Sequence, residues 1–180
     1  MNRNKRRWLL LLATVATVIA IDQLSKWLVI DNLMVGESTQ PIPALGKVFQ
    51  FTHSANTGAA FGLLSGMGDI FIFIAPIVSI GLIWYYPRIP DPATLTRLAF
   101  GLIVGGALGN VIDRLQHEHV VDFIHYRIPG LISNVSNLAD HAIVLGVLMI
   151  FIDSWLQERR ENQAEAEAAQ GEDAESHAGD

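Results

Sequence analysis

Four stretches of the chain are apolar for long enough to cross a bilayer core, which takes about 20 residues of helix. They cover roughly 8–30, 69–86, 94–112 and 138–156. The segments between them have a different grain. In KVFQFTH (47–53) apolar and polar positions alternate with the period of a short strand, and the turn-prone SANTG and the small-residue run GAAFG follow. VVDFI (120–124), between the third and fourth stretches, is an apolar loop able to dip into the membrane interface. From Gln157 the apolar pattern stops, and a tail rich in Glu, Ala and Gln reads as solvated, either disordered or a frayed helix. The pattern predicts an all-α membrane protein: a domain of four transmembrane helices over 1–156, a small β element on its outer surface, and an acidic cytoplasmic tail over 157–180.

Basic residues orient the spans. Arg3, Lys5, Arg6 and Arg7 precede the first; Arg88 and Arg97 fall between the second and third; Arg159 and Arg160 follow the fourth. The remaining loops hold only Lys47, Arg114 and Arg127, so both termini are expected in the cytoplasm and loops 31–68 and 113–137 outside. A cleaved secretory signal is the competing reading of the first span, since NRNKRR precedes an apolar run and Val18-Ile19-Ala20 fits a cleavage site. Apolar character resumes past Asp22, and an uncleaved anchor fits better. Gly101, Gly105 and Gly109 recur every four residues in the third span, a stripe that lets helices approach closely in lipid. Pro76 is expected to kink the second.

Charge changes the picture little. The formal net charge of −6 is carried by the tail, where eight acids face Arg159 and Arg160, so no nucleic-acid partner is implied. The absence of cysteine excludes disulfides, thiolate metal sites and a cysteine nucleophile.

Polar groups inside spans are costly and therefore point to function. Asp22 and Lys26 lie one turn apart near the outer end of the first span; Asn110, Asp113 and Arg114 share a face at the outer end of the third; Asn137 and Asp140 open the fourth. With Asp122 in its apolar loop, all are expected at one membrane level. Asp22 and Lys26 also suit a structural ion pair, Asp113 and Arg114 helix-end charges, and Asp140 a first-turn acid favoured by the helix dipole. Asp122 has the weakest structural explanation. Two carboxylates at a partly dry site share a proton, so one can activate water while the other protonates a scissile carbonyl. Asp122 and Asp140 are the best pair for that chemistry, which needs neither metal nor cofactor.

HEHVVDFIH (117–125) also invites a metal reading, with His117, His119 and either Asp122 or His125 as ligands. HxH in a loop is a weak signal and no HExxH is present, so interfacial histidines are the simpler account. His141, beside Asp140, bears on that carboxylate instead.

Five ordered blocks complete the pattern: DQLSK (22–26), NTGAAFG (56–62), GGALGNVIDR (105–114), VVDFI (120–124) and NLAD (137–140). On a four-span topology the chain resembles the lipoprotein signal peptidases (signal peptidase II), bacterial inner-membrane aspartic proteases. The resemblance implies that Asp122 and Asp140 are the catalytic pair. Asn56, Gly58, Asn110, Asp113, Arg114, Asn137 and Ala139 would shape the site or bind substrate, and Asp22 and Lys26 would be structural. It further implies an extracytoplasmic β-cradle, a mobile outer helix, and a site near the outer leaflet. The implied substrate is a diacylglyceryl-modified prolipoprotein, cut on the amino side of its lipidated cysteine. Membrane lipid and cyclic peptide inhibitors of the globomycin type are the other implied partners. Ser25, Ser136 and His141 stand where the family usually has Thr, Phe and a small residue. A small proton-coupled carrier using the same acids, a zinc protease using the histidines, and a structural membrane subunit are the rival readings.

Overall fold

The computed structural model describes residues 2–58, 68–91, 93–128 and 130–178. Among the described residues the α-helices are α1 (Arg3–Asn32), α2 (Gly68–Tyr85), α3 (Thr94–His117) and α4 (Leu138–Ala178). Three are long and apolar enough to cross a membrane, over Arg3–Asn32, Thr94–His117 and Leu138–Gln163; Ile72–Arg88 is a shorter apolar helix. Among the described residues three of the four expected spans are thus matched by crossing-length apolar helices, and the shorter apolar segment of α2, with Pro76 inside, stands at the remaining one.

α3 is the central helix, and its glycines set how closely its neighbours approach. A Cβ on Gly101 would lie 2.7 Å from Thr14 Cβ and one on Gly105 2.8 Å from Val18 Cβ, so this edge of the stripe is matched to α1. Gly106, one residue off the stripe, faces α4, where an added Cβ would run into the Ala139 carbonyl oxygen. α4 answers with Gly146, placed against the Ala99 carbonyl. α4 also continues unbroken to Ala178, so the acidic tail expected to be disordered or frayed is helical. Its Ala, Glu and Gln content favours that conformation.

Two loops expected on the same side come together as one antiparallel sheet in the order β1 (Ser38–Thr39), β2 (Phe49–Asn56), β3 (Val120–Ile128), β4 (Ile132–Ser136). β2 pairs with β3 from Phe49↔Tyr126 to Asn56↔Val120, with a register shift between Phe51 and Ser54. The apolar loop at 120–124 is therefore a strand. Its first five residues are all buried, with Val121, Phe123 and Ile124 packed on Val29, Leu33 and Leu138. The sheet seals the end of the bundle where α1 and α3 finish and α4 begins. At the other end Arg7 and Arg97 converge on Asp91, and the Tyr86 hydroxyl donates to the Arg7 carbonyl at 2.7 Å.

Candidate active site

Three helices and β3 are pinned together by a buried charge cluster. Lys26 Nζ lies 2.8 Å from Asp22 Oδ2 on its own helix and 2.7 Å from Asp113 Oδ2 on α3, and it donates to Asn110 Oδ1 at 3.0 Å. Asp22, Lys26 and Asp113 are each no more than 2 % exposed. A charge so removed from water persists only when paired and fully hydrogen-bonded, and here the remaining acceptors are used. Asp22 Oδ1 takes the Ala139 N–H at 2.9 Å, tying α1 to the start of α4. Asp113 Oδ2 takes the Val121 N–H at 3.0 Å, tying α3 to β3. Gln23 Nε2 donates to Asp113 Oδ1 at 2.8 Å and to the Gly109 carbonyl at 3.2 Å. Gln23 was not singled out from the sequence, although an amide inside a span is the same signal that marked its neighbours.

This cluster supports a second layer around Asp122 and Asp140. Asn137 precedes α4, and its Oδ1 accepts the Asp140 N–H at 2.9 Å, the arrangement of a helix cap. Its Nδ2 donates to Asp122 Oδ1 at 2.6 Å and to Asn110 Oδ1 at 3.2 Å. Asn110 Nδ2 donates in turn to Asp140 Oδ1 at 2.8 Å. Asn56, at the end of β2, donates to Asp122 Oδ2 at 2.8 Å, and its Oδ1 accepts the Gly58 N–H at 3.0 Å. Arg114 reaches the Gly58 carbonyl at 3.4 Å. Every site residue singled out from the sequence therefore falls into one connected assembly. The end of the NTGAAFG block, 59–62, lies outside the described residues.

The two acids differ in surroundings. Asp122 is 2 % exposed, and its pKa is pushed up to about 7, first by burial and second by the charge of Asp140. The amides of Asn56 and Asn137, and more weakly Lys26, pull it back. Asp140 instead lines a groove of about 650 Å³ that also touches Asn56, Asn110 and Arg114, with Ala75, Ala107, Ile143 and Val144 as its apolar wall. A buried acid near neutrality behind an accessible one is suited to sharing a proton.

The histidines divide. His117, the last residue of α3, and His119 just beyond it hold their rings 6.0 Å apart and tilted by 39°. Strand alternation turns His125 away from Asp122, and its ring is occupied by Gln50, Thr52 and Ser133. Burial, then Arg127, lowers its pKa. Among the described residues no group of three His, Asp or Glu side chains is arranged to hold a metal. His141 lies on the groove: Nδ1 donates to the Asn137 carbonyl at 2.6 Å and Nε2 meets the Tyr126 hydroxyl at 3.3 Å. Tyr126 and Asn134 also line this groove, with no mark in the sequence to select them.

The family model for signal peptidase (SPase) II matches residues 14–156. The lipoprotein signal peptidase of Bacillus subtilis (strain 168) is 42 % identical over 139 residues, covering 77 % of this chain and 88 % of its own. That of Desulfitobacterium hafniense (strain DSM 10664 / DCB-2) is 43 % identical over 157 residues, or 87 % of this chain and 100 % of the relative. A solved structure described as a bacterial membrane enzyme superposes with a TM-score of 0.71 at 32 % identity, covering 83 % of this chain and 88 % of that one.

Proposed function

Because this chain belongs to the signal peptidase II family, we propose that it removes signal peptides from lipid-modified prolipoproteins, with Asp122 and Asp140 as the catalytic pair. The observation that carries the dyad is Asn137. One amide holds the Asp122 carboxyl through Nδ2 and the Asp140 backbone through Oδ1, with Asp140 open to a groove.

Asp122 holds the shared proton, in keeping with a pKa of about 7. Asp140, its Oδ1 held by Asn110 Nδ2, is the member that meets the water. As water attacks the scissile carbonyl carbon, Asp140 removes its proton and Asp122 protonates the carbonyl oxygen. The resulting gem-diol collapses when Asp140 passes that proton to the amide nitrogen and the C–N bond breaks. A diol hydroxyl returns its proton to Asp122, which restores the starting state. Neither step uses a metal or a covalent enzyme intermediate.

The substrate reading places the cut on the amino side of the lipidated cysteine, with the diacylglyceryl chains left in the surrounding lipid. Four spans with cytoplasmic termini would put the site near the outer leaflet of the bacterial inner membrane, and cyclic peptides of the globomycin type would compete for the groove. The test is purified protein with a diacylated prolipoprotein, with and without chelator, comparing wild type, Asp122→Asn and Asp140→Asn. Only the wild type should cleave, and chelation should leave its rate unchanged. Cleavage near the wild-type rate by either variant would sink the dyad. Proton flux without any cut bond would favour a carrier.

A further inference from the structure

β4 is the last strand of the sheet, and among the described residues it has a strand partner, β3, on one side only. Its sequence, ISNVS, carries no charge and no proline, the usual devices that keep an exposed edge from pairing. Asn134, Val135 and Ser136, three residues in succession, all border the groove that holds Asp140. Side chains alternate between the faces of a strand, so three in a row do not reach one groove from a single face. The groove therefore meets the backbone of β4 as well as the face that Asn134 and Ser136 share with Tyr126, and the other edge of β4 is unpaired among the described residues. On such an edge every second residue turns both its N–H and its C=O outward. The strand then leads through Asn137, the amide that holds both acids, into α4.

From this continuity we infer that the open edge of β4 is the peptide-binding surface: the substrate segment around the scissile bond lies against it as an added, extended strand. The inference rests on the peptidase reading above and specifies how that site takes its substrate. Main-chain hydrogen bonds to β4 would supply binding that is indifferent to side chains. A peptide bond in a helix has its carbonyl engaged four residues on, whereas an extended segment presents it bare. Pairing with β4 would thus hold the substrate unwound while the scissile carbonyl meets Asp140.

The test leaves the protein untouched. Lipid-modified prolipoprotein peptides are made with one amide replaced by an ester, which deletes a single N–H donor, and the replacement is walked along the segment at every bond except the scissile one. KM should rise about three- to tenfold at alternate positions, as expected for losing one hydrogen bond, and change little at those between. Equal effects at all positions, or none, would overturn the edge-pairing inference while cleavage of the all-amide parent upheld the peptidase reading. If wild-type protein did not cut the parent, that reading would fail and this one with it.

Discussion

Asn56→Ala offers a quantitative test of the shared proton. The substitution deletes the Nδ2 donor that sits 2.8 Å from Asp122 Oδ2 and leaves the Asn137 donor at 2.6 Å on the other oxygen. A hydrogen bond to a carboxylate favours its ionised form, so losing one raises the Asp122 pKa further above its present value of about 7. Such a charge-assisted bond contributes about 1.5–3 kcal/mol, and 1.36 kcal/mol corresponds to one pKa unit. Water entering the vacated space offsets part of that, so the lower end, about one pH unit, is the expectation. The proton at stake is the last one on the pair, whose loss defines the alkaline limb of the activity profile. That limb should move to higher pH in Asn56→Ala, even if overall activity falls because Gly58 loses its partner. The assay is kcat/KM for prolipoprotein cleavage from about pH 5 to 10, wild type against variant. An alkaline limb that stayed in place or moved to lower pH would refute the role given to Asp122.

The raised pKa of Asp122 also has a sign in stability. The folded state binds this proton more tightly than the unfolded one, so the stabilising contribution is full below about pH 4 and fades as pH rises through about 7. Its loss is worth at most about 4 kcal/mol, and unfolding in detergent should show a smaller decline across that window for Asp122→Asn than for wild type. Lys26→Met should cost about 3–5 kcal/mol by stranding two buried carboxylates, and adding Asp113→Asn should recover part of the loss in the same unfolding measurement. Gly106→Ala should destabilise by about 1–3 kcal/mol, because the new methyl meets the Ala139 backbone. Gly81→Ala, with nothing within 4 Å of its added methyl, should leave the melting temperature unchanged or slightly higher.

The polar half of the site was legible because polarity inside a span is expensive. Asp22, Lys26, Asn110, Asp113 and Asn137 stand out as polar groups in or beside spans, and they meet in one cluster. Their partners were less legible. Asp113 looked like a helix-end charge, yet it accepts from β3 and pairs with a lysine of α1, a relationship that depends on tertiary packing alone. β3 escaped recognition as a strand because both faces of its first half are covered, which removes the alternation that identifies a half-exposed strand. β2, with mixed exposure, kept that alternation and was found. The length of α4 was missed for a different reason: an acidic tail suggests solvation, but Ala, Glu and Gln form helix without needing a core.

The double duty of Asn137 ties competence to assembly. Its oxygen belongs to the first turn of α4 and its nitrogen to Asp122, so the amide has one orientation that satisfies both. Fraying of that turn releases the oxygen, lets the amide rotate, and dissolves the alignment of the two acids in the same event. On the catalytic pair proposed above, a chain whose last span has not docked would hold its two acids unaligned and would not cleave.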